Sequence, residues 1–345
     1  MRRILAGTAA AIGGALLIAG CSTAPGGSAS AAGGGSGDGP VTVRLGYLAN
    51  ITHAPALIAV KNGYFTKDLG SAGTLKTSVY TSGTQETTAI LSGQLDAAYV
   101  GPNPAINTWS KSGGTAIKIV SGAATGGASV VVKPSIASAA QLKGQSIATP
   151  SLGNTQDVAV RSWLKRSGLA TSALGGGDVS VKPTKPNSAA VLEFKSGQIA
   201  GASEPSPYDV EMVQAGGKVL LGEPGVTTLL MVTQSFLKAH PAIVADLLKA
   251  QVQANDFIKS DPAQAAADAN AELAAYTGKP LKPGVLTPAF KEITFTDDPD
   301  AASLTADASQ AADVGLLKPV NLNGIFDLGP LNAVLKAAGE PRVSP

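Results

Sequence analysis

Strand-like runs followed at once by a turn and a helix recur along this chain, and that alternation confines it to largely parallel sheets with helices packed on their faces. Val41-Thr42-Val43-Arg44-Leu45-Gly46-Tyr47 alternates apolar with polar, and a turn then leads to His53-Ala54-Pro55, which opens a helix reaching Lys61. Residues 75–80 repeat the strand, Ser82-Gly83 breaks it, and 84–91 are helical, with a further short strand at 96–100. Strands are predicted again at 117–123, 129–132, 146–149 and 179–182, with helices at 155–167 and 188–195 between them. Ser92-Gly93-Gln94-Leu95-Asp96-Ala97-Ala98 is answered later by Ser196-Gly197-Gln198-Ile199-Ala200-Gly201-Ala202. Each copy joins a helix to a strand, and each strand ends in a Pro-punctuated turn, Gly101-Pro102-Asn103-Pro104 and Glu204-Pro205-Ser206-Pro207. Two similar lobes are the simplest reading. From Pro241 the chain turns to long Ala-rich helices at 242–258 and 262–276, with a last helix near 331–338. Such a tail wraps back on the first lobe, with 226–233 as the return crossing. The predicted lobes are therefore 41–128 with 233–345, and 129–232.

The beginning of the chain reads differently. Arg2-Arg3 and an apolar run from Ile4 to Ala19 have the form of a secretory signal over 1–20, too short to span a bilayer. Small residues then precede Cys21, the only cysteine, in the pattern of a bacterial lipoprotein box where the thiol is acylated. Residues 22–40 are almost all Gly, Ser and Ala and read as part of a flexible tether over 21–40. Lipid attachment at Cys21 would place the mature protein on the extracytoplasmic face of the cell membrane.

Without another cysteine, disulfides, thiolate metal sites and cysteine nucleophiles drop out of the mature chain. A formal charge of +2 with charges spread singly leaves no basic stripe for nucleic acid, and 4% aromatic residues argue against base stacking. Two distant histidines form no triad, no P-loop or dinucleotide fingerprint is present, and no metal cluster or cofactor is expected. Gly175-Gly176-Gly177-Asp178 precedes a strand instead of a helix and is no phosphate cradle. A monomeric, non-enzymatic small-molecule binder fits this composition best.

In an open α/β sheet, ligands bind beyond the carboxyl ends of strands, where helix starts offer unpaired N–H groups and the positive dipole end. The turns at 50–54, 82–84, 101–103, 126–127, 152–156 and 204–206 are therefore the candidates. Pro150-Ser151-Leu152-Gly153-Asn154-Thr155-Gln156-Asp157 is the strongest, because its Gly, Asn and Thr let amides and a hydroxyl approach an anion without a lysine. Helix capping by Asn154, with Asp157 bonding back, is an equally good account of the same residues. Trp109 and Trp163 read as core and His240 as structural.

Gly46-Tyr47, Ala54-Pro55-Ala56, Lys61-Asn62-Gly63-Tyr64-Phe65, Leu142-Lys143-Gly144 and the Ser-Gly-Gln junctions resemble the binding proteins of nitrate/sulfonate/taurine importers over roughly 41–345. Gly101-Pro102-Asn103-Pro104-Ala105-Ile106 and Gly153-Asn154-Thr155-Gln156-Asp157 are most similar to the aliphatic sulfonate-binding branch. The resemblance implies a type II periplasmic-binding-protein fold, two α/β lobes on a hinge, and an anion of the sulfonate class held between helix N-termini. It implies ABC permease and ATPase partners, and ligand contacts at Asn50, His53, Ser82, Gly83, Gly101, Pro102, Asn103, Asn154, Thr155 and Glu204. The family commonly has tryptophan in the turn that here reads Ala202-Ser203-Glu204-Pro205-Ser206-Pro207, so serines imply a wider or more polar pocket. Two alternatives stay open: an enzyme similar to the thiamin-pyrimidine synthases, whose cysteine cluster this chain lacks, and the binding module of a sensor.

Overall fold

The computed structural model describes residues 39–345. The predicted signal sequence, the lipidated Cys21 and all but the end of the tether lie outside the described residues. The chain opens with β1 (Val41–Leu48), α1 (Ala54–Lys61), α2 (Tyr64–Leu69), β2 (Gly73–Tyr80), α3 (Gly83–Leu91), β3 (Ala97–Val100), α4 (Pro102–Lys111) and β4 (Ile117–Gly126). It crosses at Gly127 into β5 (Ala128–Val132), β6 (Ser146–Thr149), α5 (Thr155–Arg166), β7 (Ser180–Pro183), α6 (Asn187–Lys195), β8 (Gly201–Pro205), α7 (Tyr208–Gln214) and β9 (Lys218–Gly222). It returns through β10 (Val226–Thr233), α8 (Gln234–Ala239), α9 (Pro241–Ser260), α10 (Pro262–Thr277), α11 (Pro283–Lys291), β11 (Ile293–Phe295), α12 (Ala301–Asp313) and α13 (Gly329–Ala338).

Two sheets result, in the strand orders β11-β4-β10-β3-β1-β2 and β7-β6-β8-β5-β9. β1 pairs in parallel with β2 and β3, as β6 does with β7 and β8. The echoing Ser-Gly-Gln junctions lead into β3 and β8, which occupy corresponding places beside β1 and β6. This mixed α/β architecture is the one the resemblance implied.

The return strand departs from expectation. Residues 226–233 are not a bare crossing: β10 runs antiparallel between β3 and β4 in the centre of the six-stranded sheet, buried at every residue. The predicted lobe boundary at 232–233 thus falls at the end of a strand of the first sheet, and the chain leaves the second sheet after Gly222. A continuous Val/Thr/Leu/Met run is what a strand covered on both faces requires.

Cores lie on the faces of each sheet. Val43, Leu45 and Tyr47 of β1 join Leu57, Ile58, Leu247, Leu248 and Leu273 under α1, α9 and α10, while Ile106, Trp109, Leu229, Met231 and Leu304 fill the opposite face beneath α4 and α12. The second sheet has Val130, Ile147, Val160 and Leu164 on one face and Val131, Ala148, Val191 and Met212 on the other. Trp109 donates Nε1–H to the Asn321 carbonyl at 2.9 Å, as a buried indole requires. Each face is closed, so the free ends of the strands are left to position ligands.

The crossings are short and paired. Gly126 N–H donates to the Gly225 carbonyl at 2.9 Å, and Glu223 N–H to the Ala128 carbonyl at 2.9 Å. Gly127 has φ 71°, and a Cβ there would stand 2.3 Å from Ile293 Cγ1, so only glycine fits. Among the described residues no helix is long and apolar enough to cross a membrane.

Candidate functional site

Four strand-to-helix turns converge where the two sheets face one another. After β1, Asn50 Oδ1 accepts from Thr52 N–H at 3.1 Å and from Thr52 Oγ1 at 2.7 Å, which winds Ile51–His53 into a single 3₁₀ turn ahead of α1. That turn brings the His53 ring under the end of β1, where Nδ1 accepts from Leu48 N–H at 3.3 Å. The other ring nitrogen, Nε2, then carries the proton. Burial lowers the imidazole pKa to about 3, so His53 is a neutral donor.

After β2, Ser82 is the N-terminal residue flanking α3; its hydroxyl is buried and has no partner. After β6, Asn154 caps α5: its Oδ1 accepts from Asp157 N–H at 2.9 Å, and its Nδ2 donates to Gln156 Oε1 at 3.0 Å. The Asn154 oxygen is thus engaged in capping and one of its amide hydrogens in the Gln156 bond, so what α5 offers a ligand is the Thr155 hydroxyl, the second Asn154 amide hydrogen and the first-turn N–H groups of Thr155 and Gln156, which have no intrahelical acceptor. Asp157 does bond back, but to Gly153 N–H at 2.9 Å rather than to the cap residue, while also accepting from Thr149 Oγ1 at 3.0 Å and from Arg161 Nε at 3.0 Å. Arg161 is fully buried and bonds the Ser172 and Val181 carbonyls besides, so one ion pair fixes the loop that carries the α5 start.

Thr155 meets Gly101 across the gap. A Cβ at Gly101 would stand 2.6 Å from Thr155 Oγ1, so the absence of a side chain is what admits the hydroxyl. Thr84 and Ser151 share a hydroxyl bond of 2.8 Å, and Asn107 Nδ2 donates to the Gly153 carbonyl at 3.3 Å, holding the α3 start and the middle of α4 against the α5 loop.

The cavity so enclosed is small. About 30 Å³ can be occupied by the centres of water molecules, room for a few waters or one oxyanion head. Of the expected contacts, Asn50, His53, Ser82, Gly83, Gly101, Asn154 and Thr155 line it. Pro102, Asn103 and Glu204 do not. Pro102 has no N–H and is packed at the first turn of α4, and Asn103 Nδ2 turns to the Asp307 carbonyl at 3.3 Å. Glu204 lies behind Pro205, fully buried, with neither carboxylate oxygen hydrogen-bonded. Burial pushes its pKa well above the usual carboxylate range; the neighbouring Asn187 amide only partly opposes this, and the charges of Asp209 and Glu223 add to it.

Asn187 and Thr227 also line the cavity and were not anticipated. Asn187 opens α6 after β7, so the turn rule applied to that strand would have found it. Thr227 was hidden by reading β10 as a crossing. The serines at the expected tryptophan turn face elsewhere: Ser203 Oγ donates to Glu223 Oε1 at 2.5 Å, and Ser206 Oγ to Asp209 Oδ1 at 2.7 Å. No lysine, arginine, aspartate or glutamate lines the cradle, and among the described residues no cluster of His, Cys, Asp and Glu could hold a metal.

Residues 36–275, well over half of the sequence, match the NMT1-like family. The chain belongs to that family. No curated protein sequence matches it. The NMT1-like chain superposes on the periplasmic nitrate-binding protein NrtA from Synechocystis with a TM-score of 0.74 at 16% identity, covering 88% of this chain and 90% of that one. On the alkanesulfonate-binding protein SsuA from Xanthomonas axonopodis bound to MOPS, the score is 0.69 at 18% identity, covering 84% and 99%. The aliphatic sulphonate-binding SsuA from Escherichia coli gives 0.65 at 18%, covering 84% and 92%. The fold of this NMT1-like protein is that of the periplasmic binding proteins.

Proposed function

We propose that this protein is the extracytoplasmic solute receptor of an ABC importer, held to the membrane through acylated Cys21 and binding a small organic anion of the sulfonate class between two lobes. The observation that carries this reading is the cradle itself, where neutral donors from four helix starts surround a space of head-group size. An anion there needs no counter-charge, since N–H groups at helix N-termini and buried hydroxyls supply charge-assisted bonds in a site shielded from water. Ser82 favours an absent acceptor, because a buried hydroxyl without a partner costs roughly 1–3 kcal/mol that a ligand oxygen would remove. The lack of a candidate nucleophile, metal cluster or charged acid–base pair in the cradle favours binding over catalysis.

Calorimetry with methanesulfonate, nitrate, acetate and phosphonoacetate tests the reading. We expect at least one to bind, and Thr155→Val and Ser82→Ala each to weaken it by roughly 1–3 kcal/mol, since a buried acceptor then lacks a donor. If both variants bind every such anion like the parent protein, the cradle is not the site.

A further inference from the structure

A second, much larger cavity adjoins the cradle, with about 830 Å³ open to the centres of water molecules. Thr81 lines both spaces. On either side of it the walls continue residue to neighbouring residue, Asn50 to Ala49 and Asn187 to Pro186, so the two are successive compartments of one cleft. Their chemistry differs. The cradle is walled by amides, hydroxyls and helix starts, whereas the second space is faced by Tyr80, Val191, Leu192, Tyr208, Leu273 and Tyr276.

These groups come from elements of both sheets; Val191 and Leu273 are rooted in the cores, whereas Leu192, 65% exposed, and Tyr276, 41% exposed, are left facing water. Large apolar side chains left facing water around a concave space of ligand size are the usual mark of a binding compartment. Lys195, Lys279 and Lys282 stand around it with Glu211 as the one acid, a positive surround that attracts an anion toward the cleft. The cradle, by contrast, has no room beyond a head group. Whatever is attached to that head must leave past Thr81 and enter the apolar compartment.

Resting on the head-group reading above, we propose that the solute is an amphiphilic anion whose aromatic or branched apolar tail occupies this second cavity. Inorganic nitrate and short alkyl anions would leave it empty. The serines at 203 and 206 do not widen the cradle, because both are bonded away from it. The additional room lies beside it, between α6, α7 and the α10–α11 connection.

The test uses pairs of probes that share a head group, 1-naphthalenesulfonate with methanesulfonate and 1-naphthoate with acetate, titrated calorimetrically into the parent protein, Leu192→Asp and Thr155→Val. Folding of each variant is checked by thermal melting. We expect the naphthyl member of at least one pair to bind at least about tenfold more tightly, as burial of a bicyclic apolar surface provides. Leu192→Asp, altering an exposed side chain, should pull that ratio toward one. Thr155→Val should weaken both members of a pair alike and leave the ratio standing. Equal affinity within both pairs, no binding by either pair, or a ratio indifferent to Leu192→Asp overturns the tail site. A naphthyl preference that survives while Thr155→Val changes nothing instead overturns the cradle as head-group site.

Discussion

Glu204 is fully buried in a region rich in carboxylates, and its two oxygens find no donor. Burial raises its pKa well above the usual carboxylate range, which favours the uncharged acid and weakens any repulsion of an anion in the nearby cradle. Glu223 and Asp307 behave alike: burial lifts them to about 7 and about 8, and Asp307 is raised further by the charge of Glu223. The sign of their effect on stability follows from proton counting. Between pH 8 and 6.5 the folded protein takes up protons that the unfolded chain, with ordinary carboxylates, does not, so stability rises as pH falls across that interval. His53 acts in the opposite sense from about pH 7.5 downward, as the unfolded imidazole begins to bind a proton that the buried ring refuses, but above pH 6.5 this one group is outweighed by the two carboxyls. The thermal midpoint should therefore climb from pH 8 to pH 6.5, and Asp307→Asn should flatten the climb; a falling midpoint in the parent protein would contradict it. None of this was legible in the sequence. Glu204 was visible there as a carboxylate in a candidate turn, but its burial and the nearness of Asp209 and Glu223 come from the packing of the second sheet.

At the level of elements, the α5 start shows which part of the cradle's geometry is written locally. Gly153, Asn154, Thr155 and Asp157 lie within one turn, and the two capping bonds that shape it, Asp157 N–H to Asn154 and Gly153 N–H to Asp157, run between residues at most four apart, so the turn is written in its own motif. What lies beneath was not visible: Arg161 reaches Ser172 and Val181 and closes the Asp157 pair in a fully buried setting. Removing one member leaves the other as an uncompensated charge, so Asp157→Ala should lose about 3–5 kcal/mol in urea unfolding. A loss under about 1 kcal/mol would mean that the loop does not depend on the pair. β10 and α12 were missed for the opposite reason. β10 is defined by antiparallel partners more than a hundred residues earlier, and α12 presents only Leu304, Ala308 and Ala311 to the interior, too faint a stripe to separate from a loop.

Across the whole molecule, the two halves meet through few direct bonds: Thr84 with Ser151, Asn107 with Gly153, Ile51 N–H with the Ser206 carbonyl at 3.0 Å, Gln214 with the Gly284 carbonyl at 2.6 Å, Tyr208 Oη with the Ala49 carbonyl at 3.4 Å, and Lys165 with the Asp313 carbonyl. At a net 0.5–1.5 kcal/mol each (roughly), these compete with rehydration of the unfilled donors at Ser82 and the helix starts. Without solute the open form should dominate, and a saturating ligand should shrink the radius of gyration in small-angle scattering. Superimposable profiles with and without ligand would rule out such closure. The paired expectation of two lobes was readable in the Ser-Gly-Gln echo, whereas how they are joined was not. The joint is a strap of two chains bonded edge to edge, Gly126 to Gly225 and Glu223 to Ala128. A strap bends readily across its flat face but resists sway and torsion, so any closure of the halves should follow the single arc of a book's covers on a stitched spine. On the solute-receptor reading, each closure would set the Thr155 hydroxyl back into the notch left by Gly101, and the register of the donors would be reset mechanically with every solute bound.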